Sequence, residues 1–271
     1  MSSWPTTPAG LIERQLEVAA QADGVERWMP PARPLRVAAV FCAFPTGLCG
    51  PGAAGDPLWT AVVVWERALD DNASRVALRN GGHKGAGLGG QSDAGWAVSG
   101  PVHGRVLAEA VQSGMARAPY VAGLLGLRTG AAMERALRGV SAQVLPDVLL
   151  VDATGRDHPR GAGLAVHLGA VLGLPSVGVT NRVLVATFAP PSDTAGAASP
   201  VWLHDRVVGY ALRSRAGVNP VIVHAGWRTD AATALAVVRP LIGRWRTPEP
   251  LRLARHAARV ARAQAEGRYP E

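Results

Sequence analysis

Apolar positions in this chain fall into strand-length blocks set between stretches of helical spacing. Thr7-Pro8 pairs an N-cap with a proline at the first helical position, and Leu11, Ile12, Leu16 and Ala19 follow at helical intervals. This predicts a first helix to about residue 22. Residues 35–44 (LRVAAVFCAF) form a nearly unbroken apolar run, the pattern of a strand covered on both faces. A β-branched run over 59–65 and a third strand over 105–112 would complete an antiparallel meander. Between them, residues 68–104 are rich in glycine and polar residues and read as a loop or insertion within a single domain spanning 1–271.

The second half alternates element types. A helix is predicted over 131–144, a buried strand over 148–152, a helix over 163–172 and a short strand over 176–179. Residues 189–198 read as a Pro/Ser/Ala loop, and 207–213 and 221–224 as a late pair of strands. Thr229-Asp230 would cap a helix running towards Trp245, kinked at Pro240. An Arg- and Ala-rich helix over 248–265 follows. A meander followed by strand–helix–strand units predicts an α/β fold, a mixed sheet with helices on both faces.

Composition adds three constraints. With 48% apolar and 18% charged residues, a sizeable core is available. The net charge is +8, carried almost wholly by arginine, with Lys84 the sole lysine. A basic balance favours anionic partners, yet GC-rich coding yields the same surplus of Ala, Arg, Gly and Val, so charge alone leaves both readings open. The start lacks the basic and apolar segments of a signal peptide, and no run reaches the roughly 20 apolar residues that span a bilayer. Cys42 and Cys49 are accordingly expected as free thiols in a cytoplasmic protein with no membrane partner.

Three ordered blocks carry the most specific signal: PYVAGLLGLR at 119–128, PDVLLVDATGRDHPRGAGLAVHLGAVLGLPSVGV at 146–179, and YALRSRAGVNPVIVHAGWR at 210–228. Together they resemble endonuclease V, the family that nicks DNA or RNA near inosine. The resemblance implies a ribonuclease H-like fold. It also implies a site in which carboxylates from separate elements hold Mg²⁺, a hard cation that takes oxygen ligands. The family's aspartates match Phe41 on the first strand and Asp152 on the central strand, and its Glu matches Thr129. The His-Pro-Arg loop is kept as His158, Pro159 and Arg160, while Asn181 stands for a Lys and Trp227 for a His. Tyr120 belongs to the family's strand-opening wedge, whose second proline is Ala122 here.

These matches set the expectations for the site. Asp152 and His158 are the candidate catalytic residues. Asp157, beside His158, offers a carboxylate to tune it as an acid or base; an inherited loop-stabilising role is the alternative. Phe41, Thr129, Asn181, Trp227, Tyr120 and Arg160 are the candidate ligand contacts, with Arg160 suited to an anion or to an ordinary surface role. Phe41 and Trp227 are expected to face one cleft. No metal or cofactor is expected from the residues left. The leading expectation is a site that has given up metal-dependent cutting and been refitted to bind or transform a small organic molecule. The alternative is a nucleic-acid-binding pseudonuclease, or an inosine-directed endonuclease in DNA or RNA repair.

Overall fold

The computed structural model describes residues 4–67 and 102–268, so nearly all of the Gly-rich stretch expected as a loop lies outside the described residues. Helix α1 (Pro8–Gly24) begins as its N-cap chemistry requires: the Thr7 hydroxyl accepts from the Gly10 amide at 3.2 Å, and Pro8 occupies the first helical position. Its buried stripe is Leu11, Gln15 and Val18, whereas Leu16 is 54% exposed. The expected apolar face is thus turned, and a glutamine is buried on it.

Three strands form the expected meander. β1 (Arg36–Ala43), β2 (Pro57–Arg67) and β3 (Gly104–Met115) pair antiparallel in sequence order. The chain then makes a single π-turn, Gly126–Gly130, that runs into α2 (Ala131–Ser141). β4 (Val148–Val151) joins the far side of β1 in parallel. α3 (Leu164–Leu172) returns the chain to β5 (Ser176–Thr180), which lies parallel to β4. A second antiparallel series, β6 (Thr187–Phe188), β7 (Ala198–Leu203), β8 (Arg206–Leu212) and β9 (Val221–Ala225), completes one sheet in the order β3-β2-β1-β4-β5-β9-β8-β7-β6.

Two expectations need correction here. The end of the 189–198 stretch begins β7, which lies between β8 and the two-residue edge strand β6; Ser199 and Pro200 at its start break the apolar alternation that marks a buried strand. The helix capped by Asp230, α4 (Ala231–Val238), does not continue to Trp245. It tightens into a 3₁₀ turn, Arg239–Leu241, and leaves helical geometry at Ile242 (φ −85°, ψ 117°). Pro240 lacks the amide that would extend the α ladder.

Alternation along the central strands divides the core. Ala38, Val40, Leu149 and Val151 pack with α2 and α3 on one face. Val37, Ala39, Val148 and Leu150 pack with α4 and the last helix, α5 (Glu249–Ala265), on the other. Among the described residues no helix is long and apolar enough to cross a membrane.

The turn after β4 is tied to β9. Arg156 donates its amide to the Ala225 carbonyl at 2.8 Å, and a Cβ placed on Gly155 would collide with that same oxygen. Gly155→Ala is therefore expected to lower the unfolding free energy by about 1–3 kcal/mol, the usual cost of overpacking, measured by urea denaturation. An unchanged midpoint would show that this turn is free to shift.

Candidate functional site

Strand register places Phe41 and Asp152 side by side. Val40 lies opposite Val151 in the parallel pair, and the Asp152 amide donates to the Val40 carbonyl at 3.4 Å one step further on. Asp152 thus stands just past the carboxyl end of a buried strand, where open α/β sheets place ligand chemistry. Arg255, from α5, grips it with two parallel bonds: Nε to Oδ2 at 3.0 Å and Nη2 to Oδ1 at 2.8 Å. Its third nitrogen, Nη1, donates to the Thr247 hydroxyl at 2.9 Å. The two side chains are only 15% and 17% exposed, so water screens the pair weakly. The Arg255 and Arg259 guanidinium carbons lie 5.7 and 5.8 Å from the centroid of the Phe41 ring, within cation–π range.

A second network fixes the loop that carries Tyr120. Its key group is the carbonyl of Gly123, a residue at φ +77°. This oxygen accepts from Gln15 Nε2 at 3.0 Å, Arg160 Nη2 at 2.8 Å and His158 Nε2 at 3.0 Å. The Arg160 amide donates to His158 Nδ1 at 3.2 Å, so the proton of the neutral imidazole sits on Nε2. Arg160 Nε also donates to Gln15 Oε1 at 2.7 Å. Arg128 braces the same loop from its other end, donating to the carbonyls of Ala118 and Ala53 and pairing with Asp56 at 2.9 Å.

The two networks border one cavity of about 380 Å³. It brings together four of the sequence-predicted residues, Tyr120, Asp152, His158 and Asn181, with Gln15 and Arg182 beside them. The others stand apart from its lining. Arg160 faces Gln15 and Gly123 and serves the loop. Thr129 is 2% exposed and returns its hydroxyl to the Leu125 carbonyl of its own turn. Trp227 packs with Val18, Ala162 and Val166, on the side of α1 and α3. The expectation that Phe41 and Trp227 face one cleft is corrected accordingly: Phe41 belongs with the residues under α5.

Asp157 has a structural part. It is fully buried and accepts three amides, from Leu184, Val185 and Ala186, at 2.7–2.9 Å. It therefore anchors the segment after β5, and its charge favours the protonated form of His158 only weakly, against the larger effect of burial. His224, likewise buried, donates from Nε2 to the Thr180 hydroxyl at 2.8 Å, since that hydroxyl's own proton goes to the Arg182 carbonyl. Cys42 faces the core, where burial pushes its thiol up to about 12. Gln15 and Arg255 were missed by sequence reasoning. The one is a polar residue in a helical stripe, the other one arginine among many.

Magnesium, which the family resemblance implies, needs several oxygen ligands. Among the described residues no group of three or more His, Cys, Asp or Glu side chains could hold a metal ion. Among the described residues Asp152 is the single carboxylate lining the cavity, and both of its oxygens accept from Arg255. The donor set as it stands does not fit the ion.

Residues 91–256, more than half of the chain, match the family model Endonuclease V. A Thermus thermophilus protein named Endonuclease V is 46% identical over 157 residues, 57% of this chain and 67% of the relative. One from Roseiflexus sp. (strain RS-1) is 43% identical over 136 residues, 50% of this chain, and the match spans only 60% of that relative's length. Among solved structures, the Streptomyces avermitilis endonuclease V superimposes with a TM-score of 0.71 at 29% identity, covering 97% of this chain and 96% of that one. The Ciona intestinalis endonuclease V, solved in complex with a 24mer DNA containing an inosine, shares the fold (TM-score 0.66, 17% identity, 95% and 98% covered). The expected mixed α/β sheet flanked by helices is the one these structures share. The expected function is not upheld. Relatives 40–46% identical bear the name of a nuclease, which overturns the reading of a site refitted for a small organic molecule.

His158, His167 and His224 are each held near 4, well below the ordinary 6.5, chiefly because burial disfavours the charged ring. The unfolded chain therefore binds more protons than the folded one between those values. Stability present above about pH 6.5 is expected to be lost as pH falls towards 4. His158→Gln should flatten part of that decline in chemical denaturation measured across pH. An equally steep profile would show that His158 is not buried as a neutral ring.

Proposed function

This chain belongs to the endonuclease V family, and from that membership we propose that it acts on inosine-containing nucleic acid as an inosine-directed endonuclease. One observation carries the reading: an exposed Tyr120, on a loop pinned at Gly123, borders a cavity that reaches Asp152. Proteins that act on a base within a strand draw it out of the stack into a pocket. An aromatic ring at the mouth is suited to stack against what is left behind. On this reading Asn181 and Thr180 meet the edge of the extruded base, Asp152 lies on the side of the sugar and phosphate, and His158 and Arg160 hold the wedge loop in place. On this reading the chain is a single endonuclease V-like domain. The free thiols of Cys42 and Cys49 support a reducing compartment, the cytoplasm.

Single-stranded DNA and RNA oligonucleotides, with and without one inosine, test the proposal in buffers with and without Mg²⁺. The expected result is tighter binding of the inosine strand and cutting near the inosine. Asp152→Ala is expected to abolish cutting. Tyr120→Ala is expected to weaken binding by about 1–3 kcal/mol, the range for loss of one stacking ring. Binding without any cutting would remove the endonuclease half of the reading. Absence of binding at low salt, where phosphate contacts are strongest, would remove all of it.

A further inference from the structure

The arginines of α5 recur at 252, 255, 259 and 262, a spacing that puts them along one side of the helix. That side overlies the end of β1. Arg255 holds Asp152, Arg259 lies against Phe41, and Arg262 donates to the Phe44 carbonyl at 3.2 Å. Three observations make the Arg255–Arg259 pair more than a solvated charge run. Arg255 cancels the charge of the one carboxylate lining the cavity, so an anion can approach Asp152 without facing a free negative group. Phe41 gives both guanidinium groups a common apolar support, which limits the freedom that Arg259 would otherwise lose on binding. Arg259 is exposed, and among the described residues no ion pair occupies it.

We propose that Arg259, supported by Phe41 and by the Arg255–Asp152 pair, forms a binding site for a backbone phosphate of the nucleic-acid strand whose base enters the cavity. The proposal rests on the nucleic-acid reading given above and adds to it the path of the strand: from the Tyr120 side of the sheet end, past Asp152, to α5. The ligand is a phosphodiester, so the contact is blind to base identity. Arg255 is a positioning residue here, because its three nitrogens are committed to Asp152 and Thr247.

Fluorescence anisotropy with a labelled single-stranded DNA, with and without inosine, titrated across salt concentration, separates the possibilities. Loss of one phosphate contact lowers the slope of log affinity against log salt by about 0.7 for a single strand. Arg259→Gln is expected to lower the slope by that amount and to weaken both strands equally. Arg135→Gln, at an exposed arginine of α2 on the opposite face of the sheet, is expected to leave the slope unchanged. An Arg259→Gln slope equal to wild type overturns the phosphate site, even if inosine is still preferred. Equal slope losses in both variants overturn it too, since the charge would then act without a defined site. A slope loss confined to Arg259→Gln, with no preference for inosine, upholds the phosphate site and removes the inosine reading alone. Absence of binding to either strand at low salt overturns both. Arg259 is exposed, so the variant is expected to fold, and a melting temperature equal to wild type confirms it.

Discussion

The bidentate pair between Asp152 and Arg255 determines what the end of this sheet can receive. A lone carboxylate there would repel a phosphate unless a metal ion neutralised it. Here the neutralising charge is supplied by the chain itself, from a helix packed across the same face of the sheet. The pair is largely withdrawn from water, so removal of either partner would strand the other as an uncompensated charge. Its geometry depends on the fold at several removes. The parallel register of β1 and β4 sets Asp152 beside Phe41, and α5 packing against β1 and β2 brings Arg255 over both.

The remainder of the site is a matter of position. One carbonyl, that of Gly123, gathers Gln15, His158 and Arg160 around it and thereby fixes the loop bearing Tyr120. A glycine serves there because its φ of +77° lies in the left-handed region that side chains disfavour. The histidine serves that carbonyl as a neutral donor, kept so by burial. Asp157 holds the segment after β5 by accepting three of its amides. The His-Pro-Arg loop thus ties α1 to the loop bearing Tyr120.

Much of this was legible in the residues. The unbroken apolar runs of β1 and β4 identify strands buried on both faces, and Thr7-Pro8 marks the start of α1 closely. Motif resemblance singles out Asp152, His158, Tyr120 and Asn181, and these four line one cavity. Arg255 was not found, because its partner is 103 residues away and its helix is uniformly rich in arginine. Gln15 was hidden for a related reason: a polar residue within a helical stripe is legible only when its buried partner is known. The placement of Trp227 could not be read from strand-end position alone, since the chain turns after β9 and carries that ring to the α1 side. The functional expectation erred by treating the replaced carboxylates as a change of substrate, a step beyond what substitution at a metal site implies.

A structure of the complex with a short single-stranded DNA carrying one inosine tests the central claim most directly. The account predicts the hypoxanthine base within the cavity between Tyr120 and Asp152, with a backbone phosphate against Arg259. A strand bound elsewhere on the surface, with this cavity empty and Arg259 free, would contradict it.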